Sequence, residues 1–90
     1  MYAALVSVSI EEAAHAAAEA SLKDQVVPMV KAAPGFIAGY WLEPEDGKAS
    51  SMVLFETEEQ ARATAPPAGS SPIEGVTVTT VEFRPVAASA

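Results

Sequence analysis

No cysteine and no asparagine occur in these ninety residues, and histidine occurs once, at position 15. The missing thiols exclude disulfides, thiolate metal sites and a cysteine nucleophile. Basic residues are scarce, 5 against 12 acidic, for a formal charge of −7 and a pI near 4.4. Nucleic acid and anionic membrane surfaces both need basic patches, so neither is an expected partner. No apolar run reaches the ~18–20 residues of a membrane span. Residues 1–5 lack the basic segment that opens a signal peptide. The expected location is therefore the cytoplasm. Glu43, Glu45 and Asp46 crowd a tight turn beside Pro44, leaving little room for the roughly six oxygens a hard cation takes. Glu56, Glu58 and Glu59 read as a solvated helix start favoured by the dipole. Neither metal nor cofactor is expected, and Arg62 and Arg84 read as partners in surface ion pairs.

What is present is small and apolar. Half of the residues are apolar, 19 of them alanine. The length suits one domain, residues 1–85, followed by a tail, residues 86–90. A monomer this short buries only about 60–65% of its unfolded surface and is marginal.

The chain is organised around residues 33–42, Ala-Pro-Gly-Phe-Ile-Ala-Gly-Tyr-Trp-Leu, which hold three of the six aromatic side chains. Pro34-Gly35 stops a helix and turns the chain. Residues 36–42 then read as a strand with bulk on both sides. Phe36, Ala38, Tyr40 and Leu42 face one way; Ile37, Gly39 and Trp41 face the other. A strand covered on one side only is polar at every second position. Residues 2–8 and 49–55 form two more strands of the same two-sided kind. Residues 76–84 form the last strand, with valine changing parity between Val78 and Val81.

Ser9-Ile10-Glu11-Glu12 has the pattern of a capping box, predicting a helix from position 10 or 11 to Ala32. On a 100° wheel centred on His15, the side chains of Leu22, Val26, Met29 and Ala33 share its face. Burying Leu22, Val26 and Met29 would contribute about 1.5–3 kcal/mol each. Pro28 removes one backbone bond and is expected to kink or split the helix near Asp24. The first half offers Glu11, Ala14, His15, Ala18 and Glu19 at its inner and flanking positions, mostly small or polar, which leaves room either for close approach of the backbones or for a ligand. Asp46-Gly47 marks a hairpin. Thr57-Glu58-Glu59-Gln60 is a second capping box, opening a helix to about Ala65 that Pro66-Pro67 ends. A flexible loop over residues 68–75 follows.

The order is βαββαβ: an α+β, ferredoxin-like chain with a four-stranded antiparallel sheet and both helices on one face. The bare apolar face implies a second copy, a homodimer joined through the sheets. Three stretches resemble the dimeric α/β-barrel superfamily, in particular its antibiotic-biosynthesis-monooxygenase-like domains. They are Val27-Pro28, Pro34-Gly35-Phe36-Ile37-Ala38-Gly39-Tyr40-Trp41, and Met52-Val53-Leu54-Phe55-Glu56-Thr57-Glu58-Glu59-Gln60-Ala61. The resemblance implies a dimeric barrel with a pocket in each subunit between sheet and helices. The family includes cofactor-free oxygenases of polyketide quinols, haem-degrading enzymes and signal-degrading proteins. The haem-degrading members use an Asn, a Trp and a His; this chain has no Asn, and their roles do not carry over to Trp41 or His15.

The candidate pocket residues are His15, Leu22, Tyr40 and Trp41. His15 is the candidate catalytic base, because imidazole titrates near neutrality and could take a proton from a phenolic or enolic substrate. The plainer alternative is a half-buried histidine bonded to a backbone carbonyl, Glu11 or Glu19. Tyr40 and Trp41 point to opposite faces, so at most one borders the pocket. Two functions follow: a homodimer binding a small apolar or aromatic molecule without chemistry, or a cofactor-independent monooxygenase.

Overall fold

The computed structural model describes all ninety residues. Its elements are β1 (Tyr2–Ile10), a 3-10 turn (Glu12–Ala14), α1 (His15–Ser21), a π turn (Leu22–Val26) and α2 (Val27–Lys31). They are followed by β2 (Phe36–Trp41), β3 (Lys48–Phe55), α3 (Glu58–Thr64) and β4 (Val76–Pro85). The sheet is antiparallel throughout, in the order β2-β3-β1-β4. This α+β topology is compatible with the ferredoxin-like fold, with a helical layer on one sheet face. No helix is long and apolar enough to cross a membrane.

The first capping box does not form. Ser9 and Ile10 continue β1: Ser9 pairs with Lys48 and Thr77, and Ile10 pairs with Val76. The Ile10 amide donates to the Gly47 carbonyl at 2.7 Å and the Glu11 amide to the Gly75 carbonyl at 2.8 Å. Two neighbouring strands thus offer this segment more backbone bonds than a hydroxyl cap could. The second capping box forms as read. The Gln60 amide donates to Thr57 Oγ1 at 3.2 Å, and the Thr57 amide to Gln60 Oε1 at 3.1 Å. The hairpin is also as read: Asp46 and Gly47 have φ of 54° and 73°, the pair of positive dihedrals of a type I′ turn.

Pro28 has the expected effect on the helix. It has no amide to offer the Asp24 carbonyl, and the chain opens into a π turn, with the Val27 amide on the Leu22 carbonyl. A π turn inserts an extra residue and rotates everything beyond it. Met29 is consequently 65% exposed, where the wheel put it inside, and Val30 takes the buried place. His15 is also exposed rather than on a buried stripe; the inward positions of α1 centre on Ala18.

Two bulges sort the sheet faces. In β2 the register slips between Phe36 and Ala38, so Phe36 joins Gly39 and Trp41 on the helix side instead of Tyr40. In β4 the slip falls at Thr79, between the pairs Ser7–Thr80 and Val8–Val78. Val76, Val78, Val81 and Phe83 therefore all face the helices, opposite Ile10, Val8, Val6 and Ala4. This explains the parity change along the strand: a bulge adds one residue and restores a single apolar face. The core cluster is Ala4, Val30, Val53, Phe55 and Ala61. Phe36 meets Phe55 edge-on at 6.5 Å, and the Arg62 guanidinium, paired with Glu58, lies 4.5 Å above the Phe83 ring.

The other sheet face carries Tyr40, Met52 and Leu5 in one row, with Ala38, Leu54 and Ala3 beside it. Along β4 that face turns polar, with Thr77, Thr80, Glu82 and Arg84.

Gly35 has φ 79°, and a Cβ there would run into the Gln60 side chain of the capping box; Gly69 has φ 86° and open space around it. Gly35→Ala should lower stability by about 2–4 kcal/mol, from dihedral strain plus a steric clash. Gly69→Ala should cost only the strain, about 1–2 kcal/mol. Urea unfolding of the two variants side by side checks the difference.

Candidate functional site

The helical layer and the sheet do not close on each other completely. Between them lies a cavity of about 220 Å³ that opens to solvent. Its floor is the helix side of the sheet: Ala4, Val6, Val8 and Ile10 from β1, Val53 and Phe55 from β3, and Val76 and Val78 from β4. Its roof is the long helical segment, through Ala18, Leu22, Val26 and Val30. The reason for the space is in the sequence. Ala18 is the one buried residue of α1, and a methyl group reaches the sheet without filling the volume in front of it. Interiors otherwise pack to near crystal density, so an unfilled space of this size is a feature of the fold.

Trp41 closes the β2 end. Its indole folds back over Gly39, where an added Cβ would sit 2.8 Å from the ring. Glycine is what allows the ring to lie flat along the strand. At the opposite end the wall comes from the segment between α3 and β4, through Pro66, Pro72 and Ile73. Expected as a flexible loop, it is instead tied to β4. The Gly69 amide donates to the Val78 carbonyl at 2.8 Å, the Val78 amide to the Ser70 carbonyl at 2.9 Å, and Ser71 Oγ to the Val76 carbonyl at 2.5 Å. Packing against the helix is tight at Gly75, where a Cβ would strike Ala14.

Of the four residues picked from sequence, three border the cavity: His15, Leu22 and Trp41. Tyr40 does not. It lies on the open sheet face, 56% exposed, because adjacent strand positions project to opposite sides. His15 borders the cavity from an exposed position. It makes no ion pair with Glu11 or Glu19; Glu19 is held by Lys23 at 3.2 Å. The sequence placed Ala18 on the inner face of the helix, as observed, but missed Val30, Ile73 and, among polar side chains, Ser51. A seryl pair inside an otherwise apolar strand, Ser50-Ser51, was the available signal for the last.

The lining sets what the space can hold. It is hydrocarbon over nearly its whole extent, with polar side chains only at a few points and no lysine or arginine. Apolar ring systems gain from such a site, and anions do not.

Gly39→Ala should push the indole off the strand. Trp41 is the only tryptophan, so the emission maximum should move to the red, with a loss of about 1–3 kcal/mol from overpacking. Emission spectra and urea unfolding of the same sample check both parts. Comparison with protein-family models, with curated proteins and with solved structures gives no match to this chain.

Proposed function

We propose that this chain is a homodimeric α/β-barrel protein that binds a small apolar or aromatic molecule in the cavity between helices and sheet. The observation that carries the reading is the cavity itself: about 220 Å³, apolar, partly open to solvent, with Trp41 as one wall and His15 at its border. An unengineered space of this kind lowers stability unless something occupies it.

The surface supports the dimer. A folded monomer of 9.3 kDa exposes about 5,000 Å² on the size scaling of compact proteins. This chain exposes 5876 Å², roughly 900 Å² more, so it has apolar surface left to cover. Of the six large apolar side chains left exposed, Tyr40 (56%) and Met52 (38%) stand side by side on the open sheet face, with Ile37 (45%) on the same edge strand as Tyr40. Only 10 of 90 residues are buried within the chain, a small core for an isolated domain. Pairing sheet to sheet adds a second core on the other face. The resemblance to the dimeric α/β-barrel superfamily points the same way.

The presence of His15 at the cavity favours one alternative, a cofactor-independent monooxygenase of the antibiotic-biosynthesis type. That chemistry needs an apolar cavity and one base to deprotonate a quinol.

Sedimentation equilibrium at micromolar concentration should give twice the 9.3 kDa chain mass, and Met52→Lys should shift it toward the single chain. A folded monomer of the parent protein removes the barrel dimer. In a thermal-shift screen of quinols and flavonoid-like phenols, hits should raise Tm for the parent and leave Ala18→Phe, which plugs the cavity, unmoved. A hit whose shift survives intact in His15→Ala takes His15 out of the site and the oxygenase alternative with it.

A further inference from the structure

We infer that Ser51 is the specificity-determining hydroxyl of the cavity, selecting uncharged one- or two-ring molecules that carry a hydroxyl or carbonyl group. The inference rests on the reading of the cavity as a ligand site and names what that site takes.

Ser51 pairs with Val6 on one neighbouring strand and Trp41 on the other. It therefore shares the helix side of the sheet with them. Along β3 that side reads Ala49, Ser51, Val53, Phe55, so one hydroxyl interrupts an apolar surface in the middle of the floor. The other hydroxyls at the cavity are spoken for. Thr64 donates to the Gln60 carbonyl at 3.1 Å. Ser50 stands 3.4 Å from Ser7 Oγ, pairing on the opposite sheet face. Ser51 has neither kind of partner. It is not sealed away either, since no buried side-chain oxygen or nitrogen lacks a hydrogen-bond partner. Its hydroxyl is thus open to whatever fills the cavity, beside the indole against which a ring would lie.

A lone hydroxyl in hydrocarbon surroundings favours any occupant that hydrogen-bonds to it, and a serine can donate or accept. A ligand hydroxyl or carbonyl satisfies it equally. Charge then narrows the class. No lysine or arginine borders the cavity, Glu19 does, and the chain carries −7 overall. A carboxylate or phosphate would be desolvated without a counter-charge. Volume narrows it again. A 150 Å³ apolar cavity accommodates benzene, so about 220 Å³ suits one or two fused rings.

The test is an NMR titration of the labelled full chain with naphthalene, 1-naphthol and 1-naphthoate. The parent should bind 1-naphthol roughly three- to tenfold more tightly than naphthalene, the range one net hydrogen bond supplies, and 1-naphthoate most weakly. Ser51→Ala should abolish the naphthol preference while naphthalene binding holds. Ser51→Thr, which keeps the hydroxyl and suits a strand, should restore it. A naphthol preference that persists in Ser51→Ala, or naphthoate bound as tightly as naphthol, overturns the inference and leaves the ligand cavity standing. Absence of binding by all three to the parent overturns both.

Discussion

The space between helix and sheet depends on alanine. A helix lying on a sheet is normally held there by long apolar side chains that fill the gap between the layers. Here the second half of the helical layer does this with Val26 and Val30, which border or join the core around Phe55. The first half does it with Ala14 and Ala18. The helix cannot collapse onto the floor at that end, because its path is set at both ends. Glu11 is bonded to Gly75 at the start, and the π turn and Val30 anchor the end. A methyl group facing a fixed distance leaves a hole, and the cavity is that hole.

Three single-residue irregularities then decide which side chains meet the hole. The π turn brings Val30 inward and sends Met29 to solvent. The bulge in β2 turns Phe36 toward the helices, alongside Trp41. The bulge at Thr79 collects four apolar residues of β4 on one face. Each inserts one residue, and in a helix or a strand one residue rotates everything that follows. The result is a helix side with Phe55 and Val78 fully covered and an open side with aromatic and aliphatic groups in water. The polar column of Thr77, Thr80, Glu82 and Arg84 edges this open side along β4, which confines the sticky area to β2, β3 and β1.

The two faces thus differ in what they leave open. On one, incomplete filling leaves a cavity. On the other, apolar side chains stand exposed, the surface that the proposed dimer would cover. Both follow from one composition: a chain half apolar but rich in alanine has plenty of surface to bury and little bulk to bury it with.

Much of this was legible in the residues. The βαββαβ order, the Thr57–Gln60 capping box, the Asp46-Gly47 turn and the disruption at Pro28 are local. Each depends on dihedrals and hydrogen bonds within a few positions, so local sequence determined them. Leu22 and His15 were named as pocket residues from the helical wheel, and Trp41 only as one of two alternatives with Tyr40. What the tertiary structure decided was everything that depends on a distant strand. Ser9 has the chemistry of a cap, yet Lys48 and Thr77 hold it in the sheet. Met29 and Val30 look alike in sequence, and only the π turn chooses between them. Tyr40 and Trp41 are adjacent, and the side each faces is set by the register against β3. Ser51 is an ordinary serine until pairing with Val6 and Trp41 places it on a cavity floor, because a strand carries two faces and its neighbours determine which is covered.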